Sequence, residues 1–248
     1  MHNIIYGFHA IISLAKNNPN AIDKIYIDNK RRDKRQENLY TVANEQNVQT
    51  VRTSDETLNK LAPNSSHQGV VALLHSTTSI ESLTLEQIID KTVNKPNAII
   101  LVLDGITDPQ NLGAIIRAAD CFAVDAIIIP KDNSAPSNNP IVAKTSCGAI
   151  HNIPVLTVNN LVRAIDKLKD AEFWVAGTTL HEKSINLFDF KHKQRLVWVM
   201  GSEGSGIRRL IAENCDYLVN IPMHGKTQSL NVSVATGIIL AYTRFIQQ

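Results

Sequence analysis

The chain has 248 residues, 44% of them hydrophobic and 19% charged, with a formal net charge of +2, which is the composition of an ordinary globular protein able to bury one large core or two smaller ones. No apolar run approaches the roughly 20 residues of a membrane span, and Met1-His2-Asn3-Ile4-Ile5-Tyr6-Gly7 lacks the basic and apolar regions of a signal peptide, so a cytoplasmic protein with no membrane partner is expected. The three cysteines, Cys121, Cys147 and Cys215, and the eight histidines show no metal-ligand spacing, so buried reduced thiols and no metal are expected.

In chain order, residues 7–16 read as a helix, with Phe8, Ile11, Ile12 and Ala15 at helical spacing. Residues 24–27 read as a strand, 34–44 as a helix and 69–74 as a strand. Ser76-Thr77-Thr78-Ser79 is a hydroxyl-rich break, 83–90 a short helix, and Asn94-Lys95-Pro96-Asn97 a second break. The expected organisation is therefore an N-terminal part over 1–76, a linker over 77–95 and a C-terminal part over 96–248. Beyond the linker, apolar strands at 98–103, 126–129, 155–158, 173–176, 196–200 and 217–221 alternate with helices at 109–122, 140–147, 161–169, 207–214 and a long one starting near Leu230. Uniformly apolar strands alternating with helices imply an α/β domain with a parallel sheet covered on both faces.

Three segments of this C-terminal part carry chemistry. In the first, Asp108 suits a helix N-cap and Pro109 the first helical position. Leu112, Ile115, Ile116 and Ala119 then face the core, while Arg117 points elsewhere, one turn beyond Gly113 and on the same face as that glycine. That pair fits either an anion or ribose–phosphate contact, or a solvated arginine with a glycine present for packing. In the second, Met200-Gly201-Ser202-Glu203-Gly204-Ser205-Gly206-Ile207 follows a strand and precedes a helix. Its glycines do not match the dinucleotide fingerprint. It reads as a ligand-approaching loop or as a tight turn with a dipole-favoured glutamate. In the third, Ile221 through Ala235 runs from a strand end through a polar loop into an apolar helix, the end of a sheet where α/β proteins bind small ligands. Gly225-Lys226-Thr227 is not a phosphate loop, because Asn220 stands where the motif needs its first glycine. Ser229 or Asn231 caps the helix that follows.

Together, Asn111 with Arg117, Gly201-Ser202-Glu203-Gly204, and Ser229-Leu230-Asn231-Val232-Ser233 resemble the signature motifs of the SpoU (TrmH) family of RNA ribose 2′-O-methyltransferases. Tyr6-Gly7-x-His9-Ala10 and His67-Gln68-Gly69-Val70 look like the RNA substrate-binding domain of its RlmB subgroup, which methylates a guanosine of 23S rRNA; tRNA-modifying relatives share that domain. After Ser146-Cys147-Gly148-Ala149 the subgroup commonly has an acidic residue, whereas this chain has Ile150-His151. The resemblance implies a deep trefoil knot in the C-terminal domain, a homodimer with an active site completed across the interface, and S-adenosylmethionine as cofactor. It places the cofactor among Gly177, Thr178, Gly201, Ile221, Met223, Ser229 and Leu230. It makes Arg117 the group that activates or orients the ribose hydroxyl, positioned by Asn111, Glu203 and Asn231. It also favours phosphate contact for the basic cluster Arg31, Arg32, Lys34 and Arg35, which otherwise reads as a solvated loop. The implied activity is methylation of a 23S rRNA guanosine ribose, with tRNA methylation or a non-catalytic RNA-binding factor as the alternatives.

Overall fold

A computed structural model describes residues 4–30, 32–63, 67–75, 83–180, 184–192, 194–202, 204 and 206–248. Its contacts form two compact units, one of Met1–Glu81 with Asn138–Asn152, the other of Ser82–Ser137 with Ile153–Gln248.

The first unit is built on strands β1 (Ile4–Tyr6), β2 (Ile22–Asp28), β3 (Thr50–Thr53) and β4 (Val70–Leu74) and helices α1 (Phe8–Asn17), α2 (Lys34–Glu45) and α3 (Asp55–Leu61). The sheet order is β1-β4-β2-β3; β4 runs antiparallel to both neighbours and β3 parallel to β2. Alternation along β2 sends Ile25 and Ile27 inward, where they meet Ile11 and Leu14 of α1 and Leu39 and Val42 of α2. Asp33 starts α2 by accepting from the Arg35 and Gln36 backbone N–H groups at 3.1 and 3.0 Å. The sequence reading had no counterpart for β1, β3 or α3. The two strands have three and four residues, too few for a period to show, and α3 buries only Leu58.

The second unit comprises α4 (Leu85–Thr92), β5 (Ile99–Asp104), α5 (Pro109–Cys121), β6 (Ala126–Pro130), β7 (Val155–Val158), α7 (Leu161–Asp170), β8 (Trp174–Thr178), β9 (Ile185–Asn186), β10 (Leu196–Gly201), α8 (Arg209–Glu213), β11 (Tyr217–Asn220) and α9 (Val232–Ile246); α6 (Pro140–Thr145) belongs to the first unit. The seven strands are ordered β7-β6-β5-β10-β8-β11-β9, and every neighbouring pair is parallel. On one face α4, α7 and α8 cover Ile100, Val102, Ile128, Val175, Val197 and Val199. Toward the other, α9 packs against both α5 and β10, and fully buried Trp198 donates its indole N–H to the Thr243 hydroxyl at 3.0 Å. Each fully buried Val, Leu or Ile contributes about 1.5–3 kcal/mol, so this two-sided burial is the main support of the strand ends that carry the site.

Three details differ from expectation. The helix expected over 207–214 is only the five residues of α8, because Ile207 is buried in the core and Arg208 is held by Asp104 before the helix begins. The helix expected over 140–147 stops at Thr145, where Cys147 takes a positive φ of 53° and a 3₁₀ turn follows at Ala149–His151. Cys121 is exposed rather than buried. Among the described residues no group of His, Cys, Asp and Glu could hold a metal, and no helix is long and apolar enough to cross a membrane.

Candidate active site

The loops leaving β8, β10 and β11 and the start of α9 enclose a cavity of about 300 Å³ at the carboxyl ends of the strands. Register sets this up: β10 and β5 are paired so that Gly201 lies opposite Asp104. The chain then doubles back, Ser202 N–H donating to the Gly206 carbonyl at 3.2 Å and Gly206 N–H to the Ser202 carbonyl at 3.0 Å. A Cβ on Gly201 would overlap the Gly206 carbonyl and the Ile207 nitrogen, so only glycine allows so close a return. The loop is tied down on its far side. Asp104, 2% exposed, accepts from the Arg208 backbone N–H at 2.8 Å with one carboxylate oxygen and from Arg208 Nε at 2.7 Å with the other.

Thr178, Gly201, Ile221, Met223, Ser229 and Leu230, distant in sequence, all line this one cavity, and Met200, Val232 and Ile239 add apolar wall. Thr178 is steadied by donating its hydroxyl to the Val199 carbonyl at 3.1 Å. Gly177 is not among the lining residues. It lies within β8, and a Cβ there would come within 2.7 Å of Cys215 Sγ and Ile207 Cδ1, so this glycine lets the segment before β11 pack down. Burial there, with Asp216 nearby, pushes the Cys215 thiol up to about 12; the group is inert.

Beside the cavity, Asn231 caps α9, its side-chain oxygen accepting from Ser233 N–H at 2.9 Å, while its amide nitrogen donates to Asn111 Oδ1 on α5 at 2.9 Å. Of the two capping candidates, Asn231 is thus the cap, and the bond joins two of the expected site residues across the α5–α9 contact. Asp108 and Pro109 start α5 as anticipated, with Asp108 accepting from Gln110 N–H at 2.9 Å. Gly113 is buried and Arg117 exposed; the Arg117 guanidinium has no hydrogen-bond or ion-pair partner among the described residues. Glu203 lies outside the described residues.

In the first unit the two motif segments meet: Tyr6 pairs with Val71 across β1 and β4. His67 is structural. It is 7% exposed, its Nδ1 accepts from Gly69 N–H at 3.0 Å, and its Nε2 faces Asn59 Oδ1 at 3.3 Å. Arg32, Lys34 and Arg35 are exposed around the start of α2, whereas Arg31 lies outside the described residues. Sequence reasoning passed over the Asp104–Arg208 pair. Its signals were an acid closing an apolar strand and an arginine where a helix dipole disfavours cations.

The geometry agrees with comparisons to known proteins. Residues 98–241 match the model of the SpoU rRNA Methylase family, and residues 4–78 that of RNA 2′-O ribose methyltransferase substrate binding. A Neisseria meningitidis protein named 23S rRNA (guanosine-2′-O-)-methyltransferase RlmB is 40% identical over 240 residues, covering 97% of this chain and 94% of that one. The protein of the same name from Pseudomonas putida is 41% identical over 236 residues, covering 95% and 93%. Among solved structures, the SpoU methyltransferase AviRb from Streptomyces viridochromogenes in complex with the cofactor AdoMet superimposes with a TM-score of 0.73 at 23% identity, over 98% of this chain and 89% of that one. With both parts matched in order and the motif residues gathered at the strand ends of one parallel sheet, the chain belongs to the SpoU rRNA methylase family.

Proposed function

We propose that this protein transfers a methyl group from S-adenosylmethionine to the ribose 2′-hydroxyl of a guanosine in 23S rRNA. The observation that carries this reading is the convergence of Thr178, Gly201, Ile221, Met223, Ser229 and Leu230 on one cavity beside the Asn111–Asn231 pair. The cavity suits the cofactor. Its size falls at the lower end of small-ligand sites, it has apolar walls for an adenine, and Gly201, Ile221 and Leu230 line it. When bound, S-adenosylmethionine supplies an already activated, electrophilic methyl group.

The chain's own residues must then hold a weakly nucleophilic hydroxyl in line and manage its proton. Asn111 and Asn231, each fixing the other, position the ribose, and Glu203 stands with them in the motif. Arg117 is a permanent cation and a poor base; its role is to orient the ribose and stabilise the oxyanion that develops on its 2′-oxygen. Ser229 supports the cofactor loop. The N-terminal part, residues 1–76, binds the RNA, and 96–248 performs the transfer. Arg31, Arg32, Lys34 and Arg35 contact phosphates there. Cations at a helix N-terminus oppose the dipole, so their clustering around the start of α2 does nothing for that helix.

Two copies pair through α9, whose Val234, Ile238, Ala241 and Phe245 form an outward stripe at helical spacing. Val234 is 50% and Phe245 71% exposed, more apolar surface than an isolated helix face favours. Pairing brings the free Arg117 of one copy to the site of the other, in the cytoplasm where the RNA is. Labelled S-adenosylmethionine with unmodified 23S rRNA and unmodified tRNA tests the reading: label in 23S rRNA supports it, and label in tRNA alone rejects it.

A further inference from the structure

A second concavity opens at the carboxyl ends of β6 and β7, with a volume of about 420 Å³. Its lining includes Asp132, Asn133, Asn159 and Asn160 from the turns after β6 and β7, and Arg208 and Arg209 from the separate segment that enters α8. None of the cofactor-site residues lines it, and Arg208 links it to the loop that closes that site. This arginine follows the doubled-back loop by two residues and is bound to Asp104, whose neighbour Gly105 opens the segment leading to Asn111.

Arg208 is a prepared ligand group. The buried Asp104 carboxylate takes its backbone N–H and its Nε, which fixes the side chain. Its terminal Nη1 and Nη2 have no partner among the described residues, and the side chain is 61% exposed. A guanidinium held by one edge offers the other to an anion with little further ordering, and two parallel N–H donors match a phosphate. Arg209, bonded to Glu213 at 2.9 Å, adds a second cation at the rim. On the turns, Asp132, Asn133 and Asn159 have no side-chain partner among the described residues, and Asn160 uses only its oxygen, accepting from Arg163 N–H at 3.1 Å. Donors and acceptors there, with a carboxylate that repels phosphate, suit the edge of a base. One segment for an anion and one for a hydrogen-bonding edge match a nucleotide rather than a bare ion.

The geometry points to this cleft as the seat of one nucleotide of the RNA strand flanking the methylated guanosine, its phosphate on the free edge of Arg208 and its base edge toward Asn133, Asn159 and Asp132. The assignment rests on the proposed methyl transfer to RNA and names a part of the substrate that the reaction itself does not touch.

Binding of unmodified transcribed 23S rRNA as a function of salt, with steady-state kinetics, tests it. Arg209→Ala removes the second cation and is expected to lower the salt slope by at most about 0.7–0.9, the contribution of one phosphate, while S-adenosylhomocysteine affinity stays within about twofold of wild type. Arg208→Lys keeps a cation against Asp104 but lacks a second edge, so KM for RNA should rise roughly fivefold to tenfold with KM for S-adenosylmethionine little changed. Base changes beside the target should alter kcat/KM in the wild type and lose that effect in the double variant Asn133→Ala with Asn159→Ala. Unchanged salt slope and RNA KM in both arginine variants overturn the proposal. So does competition by guanosine monophosphate alone at the affinity of RNA, which would make this a free-nucleotide site. Failure of the methyl-transfer reading shows itself separately, as wild-type protein that labels no RNA, and RNA binding against salt still reads the cleft in that case.

Discussion

The two ends of the seven-stranded sheet are built on opposite electrostatic plans. At the amino ends of the strands, charges close on one another: Lys95 with Asp125 at 2.6 Å, Arg195 with Glu172 at 2.7 Å and Lys169 with Asp216 at 2.8 Å. Asp125 and Asp216 also accept N–H groups near the starts of strands, from Ile99 at 2.9 Å and Val175 at 2.8 Å. At the carboxyl ends, the outer edge of Arg208 remains unpaired among the described residues, and the loops circle open space. The larger hollow, about 740 Å³, is at the amino ends, against about 300 Å³ for the candidate active site. Volume therefore does not locate function here. The bigger hollow is lined by ion pairs that already satisfy each other, and the smaller by the motif residues that meet at the strand ends.

Substitutions in the proposed machinery and at the amino ends should differ in kind, and the largest effect belongs to Arg117. Arg117→Ala is expected to lower kcat by about 10²–10⁴-fold with S-adenosylhomocysteine affinity unchanged by calorimetry; normal turnover would remove it from the mechanism. Gly201→Ala forces the returning loop apart, so cofactor affinity should fall roughly tenfold or more while the melting transition stays cooperative. An alanine variant that binds S-adenosylhomocysteine normally would show that the loop need not close so tightly.

Asp104→Asn weakens the anchor of the same loop. Because Arg208 is 61% exposed its half of the pair is screened, and a loss of about 1–2 kcal/mol in denaturant unfolding is expected. A loss under a few tenths would mean that the pair does not hold the loop. At the amino ends, Glu172→Ala removes the partner of Arg195 at a largely exposed position and should cost about 0–1 kcal/mol, leaving methyl transfer intact; impaired transfer would mean that the two ends do not differ in this way.

The smallest effect is with pH. His192 packs among Trp174, Phe190 and Tyr217, and burial lowers its pKa from the ordinary 6.5, with Asp216 opposing. Burial lowers that of His151 as well. Both folded-state values lie below the unfolded one, so the unfolded chain binds more protons in that window. The associated stability is whole above pH 6.5 and declines as pH falls toward the folded values. A melting temperature that rose on acidification below 6.5 in wild type relative to His192→Gln would contradict this.

Much of the larger unit was legible in the sequence because its strands are buried on both faces, so β5, β6 and β10 read as unbroken apolar runs. The capping of α5 by Asp108 and Pro109 was equally local. What escaped has a physical reason in each case. β9 is two residues long and owes its existence to its neighbour β11. The bond between Asn231 and Asn111 spans 120 positions and that between Arg208 and Asp104 spans 104, and no periodicity reports such pairings. Gly177 reads as a ligand-loop glycine because a strand-end glycine serves ligand approach and backbone packing alike; the contact with Cys215 shows its packing role, which no spacing reports.

The grouping of Asn138–Asn152 with the N-terminal unit bears on whether the halves are separable modules. A Cβ on Gly148 would come within 2.8 Å of the Ala10 carbonyl, and Asn17 donates to Asn152 at 3.3 Å, so this excursion is packed as part of its host. The backbone passes from one unit to the other three times rather than once. A fragment starting at 96 would strand that excursion with Ala149 and Ile150, 3% and 8% exposed in the whole chain, turned toward water. Scissors applied at the apparent linker would thus yield a sticky catalytic piece, and any gene fusion or exchange of RNA-binding domains has to carry both segments together.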